Sequence, residues 1–254
     1  MRNKALIRIP LFYLLAISMS NIFRFDIIGL NDIVENMPIW TMVLFSPLGA
    51  SGILVGALIS IYLLRKEGKT EFSIFGSSQK WSLAMVTVPI LVMSIIGVKN
   101  SNGVNVHYYG FIIGIGTLIY CFCEEIGWRG YLQDELENIN IWLRSTIIGF
   151  LWYFWHLSFI NNQNIVDNLM FLGWMILGSW GIGKVIDSTK SIFAATCFHM
   201  IINIMLFNSV VKDGIAWNEK LVILGVSVGI WILILKMWEK GQTNAKSENY
   251  RITT

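Results

Sequence analysis

A chain of 254 residues that is 55 % apolar and only 14 % charged departs from soluble domains, which average about 45–50 % apolar and about 25 % charged. Folded in water it would expose wide apolar patches, which drive association, so the composition excludes an ordinary soluble enzyme. A net charge of +3 is too small to recruit nucleic acid, and the expected surroundings are a lipid bilayer, which also suits the 11 Trp, 8 Tyr and 15 Phe as interface residues.

A helix needs about 20 mostly apolar residues to cross a bilayer. On that scale the sequence predicts an all-α, polytopic transmembrane bundle of about eight spans, at 5–23, 37–64, 81–98, 108–123, 141–160, 165–186, 191–211 and 221–238. The start, Met1-Arg2-Asn3-Lys4 before an apolar run, resembles a signal peptide. It reads better as an uncleaved first helix, because it completes a charge pattern. With the N-terminus in the cytoplasm, fifteen of the 19 Lys and Arg residues fall on the cytoplasmic side. Only Arg24, Lys99, Lys212 and Lys220 fall on the other, as the positive-inside rule requires. Both termini are then cytoplasmic. Residues 239–254 are polar and predict a disordered tail, leaving a helical domain at 1–238.

Cys121, Cys123 and Cys197 lie in apolar stretches and read as small buried hydrophobes rather than a disulfide framework. Gly110, Gly114 and Gly116, and later Gly173, Gly178, Gly181 and Gly183, predict close helix approach.

Ionisable groups inside spans are expensive and usually face a cavity or a partner. Three segments carry them: Glu124-Glu125 through Arg129, Trp152 to His156, and His199 to Asn203. Take spans four and five as an antiparallel hairpin turning at Asn138-Ile139-Asn140. Glu124 and His156 then each lie about 16 residues, or about 24 Å, from the turn, and so at one depth. His199 and Asn203 are four apart and share a helix face. With the fourth helix continuing past the membrane surface, all four groups fall in the cytoplasmic half of the bilayer. Apolar surroundings make a carboxylate a stronger base. One histidine opposite it can orient water, and a second with Asn can donate hydrogen bonds to an oxyanion. Glu125 and Arg129, also four apart, predict a supporting ion pair.

At these motifs the sequence resembles the CAAX-prenyl-protease and bacteriocin-processing (CPBP) family of intramembrane proteases, Rce1-like. The family pattern is Glu-Glu-x-x-x-Arg, Phe-x-x-x-His and His-x-x-x-Asn or Asp. Glu124-Glu125 to Arg129 and His199 to Asn203 match it fully, while Trp152 stands where Phe is usual before His156. The resemblance covers 108–207. It implies a helical-bundle endopeptidase in which Glu124 is the general base, His156 helps activate water, and His199 with Asn203 stabilises the oxyanion. It implies a peptide or membrane-protein substrate and a bacterial cell membrane as location.

Metalloprotease is the family's common label. Glu124, His156 and His199 would offer zinc three ligands and an open position, but the His-Glu-x-x-His helix motif is absent. The expectation is that no cofactor is required, with Zn2+ as the alternative. Two other classes compete. A transporter would spread its charges across depth, whereas these concentrate on one hairpin and one further helix. A catalytically inactive scaffold or self-immunity protein would tolerate lost catalytic positions, and here all are filled.

Overall fold

The computed structural model describes residues 2–30, 33–34, 36–64, 72–157, 160, 164–207, 211 and 214–253, with side-chain surroundings at all but 2–6, 42, 207 and 242–253. Arg65, Lys66, Lys69 and Lys212 of the charge pattern lie outside them. The described residues form an all-α, polytopic bundle, with one isolated bridge between Ser73 and Ser191.

Eight principal helices follow in order: α1 Arg2–Arg24, α2 Ser51–Leu58, α3 Gln79–Ile96, α4 Val106–Glu125, α5 Ile141–His156, α6 Ile165–Thr189, α7 Ile192–Ile202 and α8 Trp217–Thr253. Three widen into π-helical turns at their C-terminal ends: α2 over Ile59–Leu63, α4 over Ile126–Gln133, and α7 over Asn203–Phe207. Short polar residues set the starts. Ser78, Asn105, Asn140, Asn164 and Ser191 each accept a hydrogen bond from the first-turn backbone of the helix that follows, satisfying amides that have no helical partner.

Among the described residues six stretches are long and apolar enough to cross a membrane: Ile7–Arg24, Ile39–Leu63, Gln79–Ile96, Val106–Gln133, Ile165–Thr189 and Trp217–Gly241. The two other predicted spans are shorter. α5 has 16 residues, because Leu157 turns left-handed at φ 52° and ends it before 160. The seventh is an apolar helix over Ile192–Leu206. The backbone of α8 runs on through the polar tail to Thr253, where composition alone predicts disorder. Leu63, Ile95 and Ile165 are each 73 % exposed, which suits contact with acyl chains.

α1 packs on α2, α3 on α4, and α5 on α6. α7 sits against α3, α4 and α6, and α8 closes on α3. Two apolar cores result. One gathers Met85, Met93, Cys121, Met200 and Trp231 from α3, α4, α7 and α8. The other gathers Phe12, Ile53, Trp128, Trp152, Trp155 and Ile186 from α1, α2, α5, α6 and the wide turn after α4. All three cysteines are free and buried.

Among the helical glycines close approach is sharpest at Gly127, where a Cβ would stand 2.1 Å from Ile53 Cγ2, and at Gly110, 2.5 Å from the Met93 carbonyl oxygen. Gly173 and Gly181 have nothing within 4 Å and are not approach points, contrary to the pattern read from spacing. Away from the membrane centre, Arg144 Nη2 donates to Asp187 Oδ2 at 2.6 Å, and Gln133 Nε2 to Asp187 Oδ1 at 3.0 Å. These bonds tie α5, α6 and the wide turn together, while Arg8 of α1 pairs with Glu135.

Candidate active site

The interval between the two cores is polar and closed. Glu124, Glu125 and Arg129 are 0 % exposed and His199 is 2 % exposed. Glu124 and Glu125 are the last two residues of α4, and Arg129 lies in the wide turn beyond. Wide π turns cluster at functional sites, and here one follows each of the two helices that carry the strongest motifs.

His199 reaches across from α7. Its Nδ1–H donates to Glu125 Oε1 at 2.8 Å, and its Nε2 stands 3.9 Å from Glu124 Oε2. Arg129 Nε is 3.4 Å from Glu125 Oε2, the ion pair that the four-residue spacing predicts. Its guanidinium carbon lies 4.9 Å from the Trp152 ring centroid. Glu124 is held by two indoles: Trp152 Nε1 donates to Oε2 at 2.9 Å, and Trp128 Nε1 donates to the same oxygen at 3.3 Å. Oε1 is buried and has no hydrogen bond of ordinary geometry among the described residues, and the Tyr120 hydroxyl lies close enough to interact with the carboxylate.

The structure thus brings Glu124, Glu125, Arg129 and His199 into one cluster. His156 stands beside it, at the end of α5. Its ring centroid is 6.2 Å from that of Trp152, 5.0 Å from Trp155 and 5.4 Å from Phe171. Asn203 is one turn after His199 and half-buried, where α7 passes into its wide turn. The third histidine, His107, is exposed at the start of α4, and its Nδ1 meets the Ser94 carbonyl oxygen at 2.9 Å, away from the site.

Two expectations change. α5 packs chiefly on α6 and meets the fourth helix at its end, through Trp152 on Glu124, and at the wide turn beyond, so the hairpin of adjacent helices is not formed along its length. The residue that closes on Glu124 is Trp152, one helical turn before His156. Trp155 Nε1 donates to the Ala16 carbonyl at 3.1 Å, and Arg24 Nη1 donates to the Trp155 carbonyl at 2.7 Å. The Trp155 end of α5 is therefore level with the middle of α1 and its Arg24 end.

The indole donors Trp128 and Trp152 were not singled out as functional by sequence reasoning. Each is four residues from a named residue, Trp128 after Glu124 and Trp152 before His156, and that spacing places it on the same helix face. Among the described residues no three His, Cys, Asp or Glu side chains are grouped to hold a metal ion. Glu124, His156 and His199 therefore do not fit as a zinc set in this arrangement.

Residues 106–205 match the family model described as type II CAAX prenyl endopeptidase, Rce1-like. The chain is 34 % identical over 93 residues to CAAX prenyl protease 2 of Methanococcus maripaludis, covering 32 % of this chain and 34 % of that protein. It is 28 % identical over 134 residues to lysostaphin resistance protein A of Staphylococcus haemolyticus, covering 48 % of this chain and 35 % of the relative. The chain thus spans about a third of the length of the curated relatives it matches.

Proposed function

We propose that the chain, whose residues 106–205 match the type II CAAX prenyl endopeptidase, Rce1-like model, is an intramembrane endopeptidase. It hydrolyses a peptide bond of a peptide or membrane-protein substrate. Glu124 is the base: the attacking water gives a proton to Oε1 as its oxygen bonds to the carbonyl carbon. The carbonyl oxygen becomes an oxyanion, which takes hydrogen bonds from His199 and from the Asn203 amide. The proton then passes to the amide nitrogen as the carbon–nitrogen bond breaks, leaving an acid and an amine. His156, beside Trp152, orients the water. No step is routed through a metal.

One observation carries this reading. A fully buried carboxylate has one oxygen held by two donors and the other unbonded, with a histidine at 3.9 Å. Most buried polar atoms have a hydrogen-bond partner, so an unbonded oxygen on a carboxylate whose other oxygen is held twice is suited to receive a proton. The membrane in question is the cell membrane, in keeping with the multi-pass helical bundle.

A second reading is a membrane protein that confers resistance without cleaving. It draws on the printed name of the staphylococcal relative. One experiment separates the two. Purified full-length protein in detergent is given a peptide library as wild type, as Glu124→Ala, and as wild type with a strong zinc chelator. Cleavage lost only in Glu124→Ala supports the metal-free glutamate protease. Loss with the chelator as well overturns the metal-free part. No cleavage by wild type across the library moves the reading to resistance without cleavage.

A further inference from the structure

Trp152 departs from the Phe of the family pattern, and the departure adds an N–H where a phenyl ring has none. That N–H is spent on Glu124. The 2.9 Å bond from Trp152 and the 3.3 Å bond from Trp128 converge on one oxygen, Oε2. All three side chains are buried, Glu124 and Trp128 at 0 % and Trp152 at 1 % exposure. Water cannot substitute for either donor without opening the core.

The indole N–H is a donor only. It can orient a carboxylate but cannot accept the proton that the carboxylate removes from water. Two such donors on Oε2 fix the carboxylate plane and leave Oε1 as the oxygen free to act. Trp152 is held in turn. Its ring meets the His199 ring edge-on, with centroids 4.8 Å apart and planes at 82°. The Arg129 guanidinium lies over it, and the Trp128 ring is 6.5 Å away. One indole thus touches base, histidine and arginine, each carried on a different stretch of chain.

Building on the proposed protease mechanism, we propose that Trp152 is a positioning residue. Its indole N–H, seconded by Trp128, anchors Glu124 Oε2 so that Oε1 alone takes the proton from water. The class of interaction is a charge-assisted hydrogen bond, which is stronger than a neutral one and sensitive to geometry. Trp152 does not touch the peptide in this scheme, so its loss lowers the catalytic rate and leaves substrate binding alone.

The test uses full-length protein in detergent and three replacements at the indole pair. Trp152→Phe keeps an aromatic ring and removes the donor. Replacing Trp152 with benzothienylalanine keeps the bicyclic shape and exchanges the N–H for sulfur. Trp128→Phe removes the longer of the two bonds. The expected result is a fall in kcat of roughly 10- to 100-fold for both Trp152 replacements, a smaller fall for Trp128→Phe, and KM within about twofold throughout. Wild-type kcat in the benzothienyl protein overturns the proposal, because the donor is then dispensable. So does a change that falls on KM alone.

A second readout does not need cleavage. The ultraviolet resonance Raman difference spectrum between wild type and Trp152→Phe isolates the Trp152 indole, whose N–H band moves with hydrogen-bond strength. It should report a strong bond in the wild type and a weakened one when the same difference is taken in the Glu124→Ala background. An unchanged band overturns the anchoring, even in a protein that cleaves. A shifted band in a protein that cleaves nothing upholds the anchoring and defeats the protease reading alone.

Discussion

Arg129→Met removes the guanidinium beside two fully buried carboxylates while keeping a flexible side chain over Trp152. In the wild type Arg129 Nε stands 3.4 Å from Glu125 Oε2, and neither side chain is exposed. Removing one member of a buried pair leaves an uncompensated charge and costs about 3–5 kcal/mol. At about 2–4 °C per kcal/mol for a chain of this size, the midpoint of thermal unfolding should fall by roughly 6–20 °C. The assay is unfolding in detergent micelles followed by tryptophan fluorescence, with Arg129→Lys as the variant that keeps the charge. A double variant, Arg129→Met with Glu125→Gln, should be less damaged than the sum of the two singles, because the neutral amide no longer needs the cation. A midpoint for Arg129→Met within about 2 °C of wild type, or strict additivity in the double variant, would refute the ion pair as a stabilising element.

Two further outcomes concern packing and capping. Gly127→Ala should lower the unfolding midpoint by the equivalent of about 1–3 kcal/mol, since its Cβ would lie 2.1 Å from Ile53 Cγ2 in a closed core; Gly173→Ala, with nothing within 4 Å, should be neutral or slightly stabilising in the same scan. Ser191→Ala should cost about 1 kcal/mol by removing the cap on the Ala194 amide, and its 2.6 Å contact with Ser82 Oγ goes with it. Hydrogen exchange at the first turn of α7 should quicken, and equal exchange in the variant would show that the cap is idle.

The legible parts of this molecule were those written in local spacing. The span starts read at 141, 165 and 191 fall within one residue of the helix starts at Ile141, Ile165 and Ile192. Glu125 and Arg129 are four apart and do pair. The illegible parts depend on which helix lies against which. An equal count of residues on either side of Asn140 matches Glu124 to His156 only where α4 and α5 pair along their length, and the chief neighbour of α5 is α6. The wide turns after Glu125 and Ile202 were also out of reach, because ring size in a helix is decided by packing rather than by residue type. Trp152 illustrates both limits. As a sequence position it is one aromatic exchanged for another; only with α5 turned toward the end of α4 does its N–H meet Glu124.

The same geometry constrains what His199 can do and makes Glu125 more than a strut. Nδ1–H is committed to Glu125 Oε1 at 2.8 Å. A neutral imidazole has a single N–H, so Nε2 would then only accept. To donate to an oxyanion His199 must carry both protons, and the nearest counter-charge for that cation is Glu125. Glu125→Gln keeps a carbonyl oxygen for Nδ1–H but removes the charge. Its kcat should fall by about 10²-fold, the scale of losing one oxyanion donor, with KM little changed. Glu125→Asp, shorter but charged, should fall less. The measurement is steady-state peptide cleavage with the thermal midpoint recorded alongside, so that lost activity is not mistaken for lost fold. Wild-type kcat in Glu125→Gln would mean that His199 works without its second proton, and the oxyanion would then rest on the Asn203 amide alone.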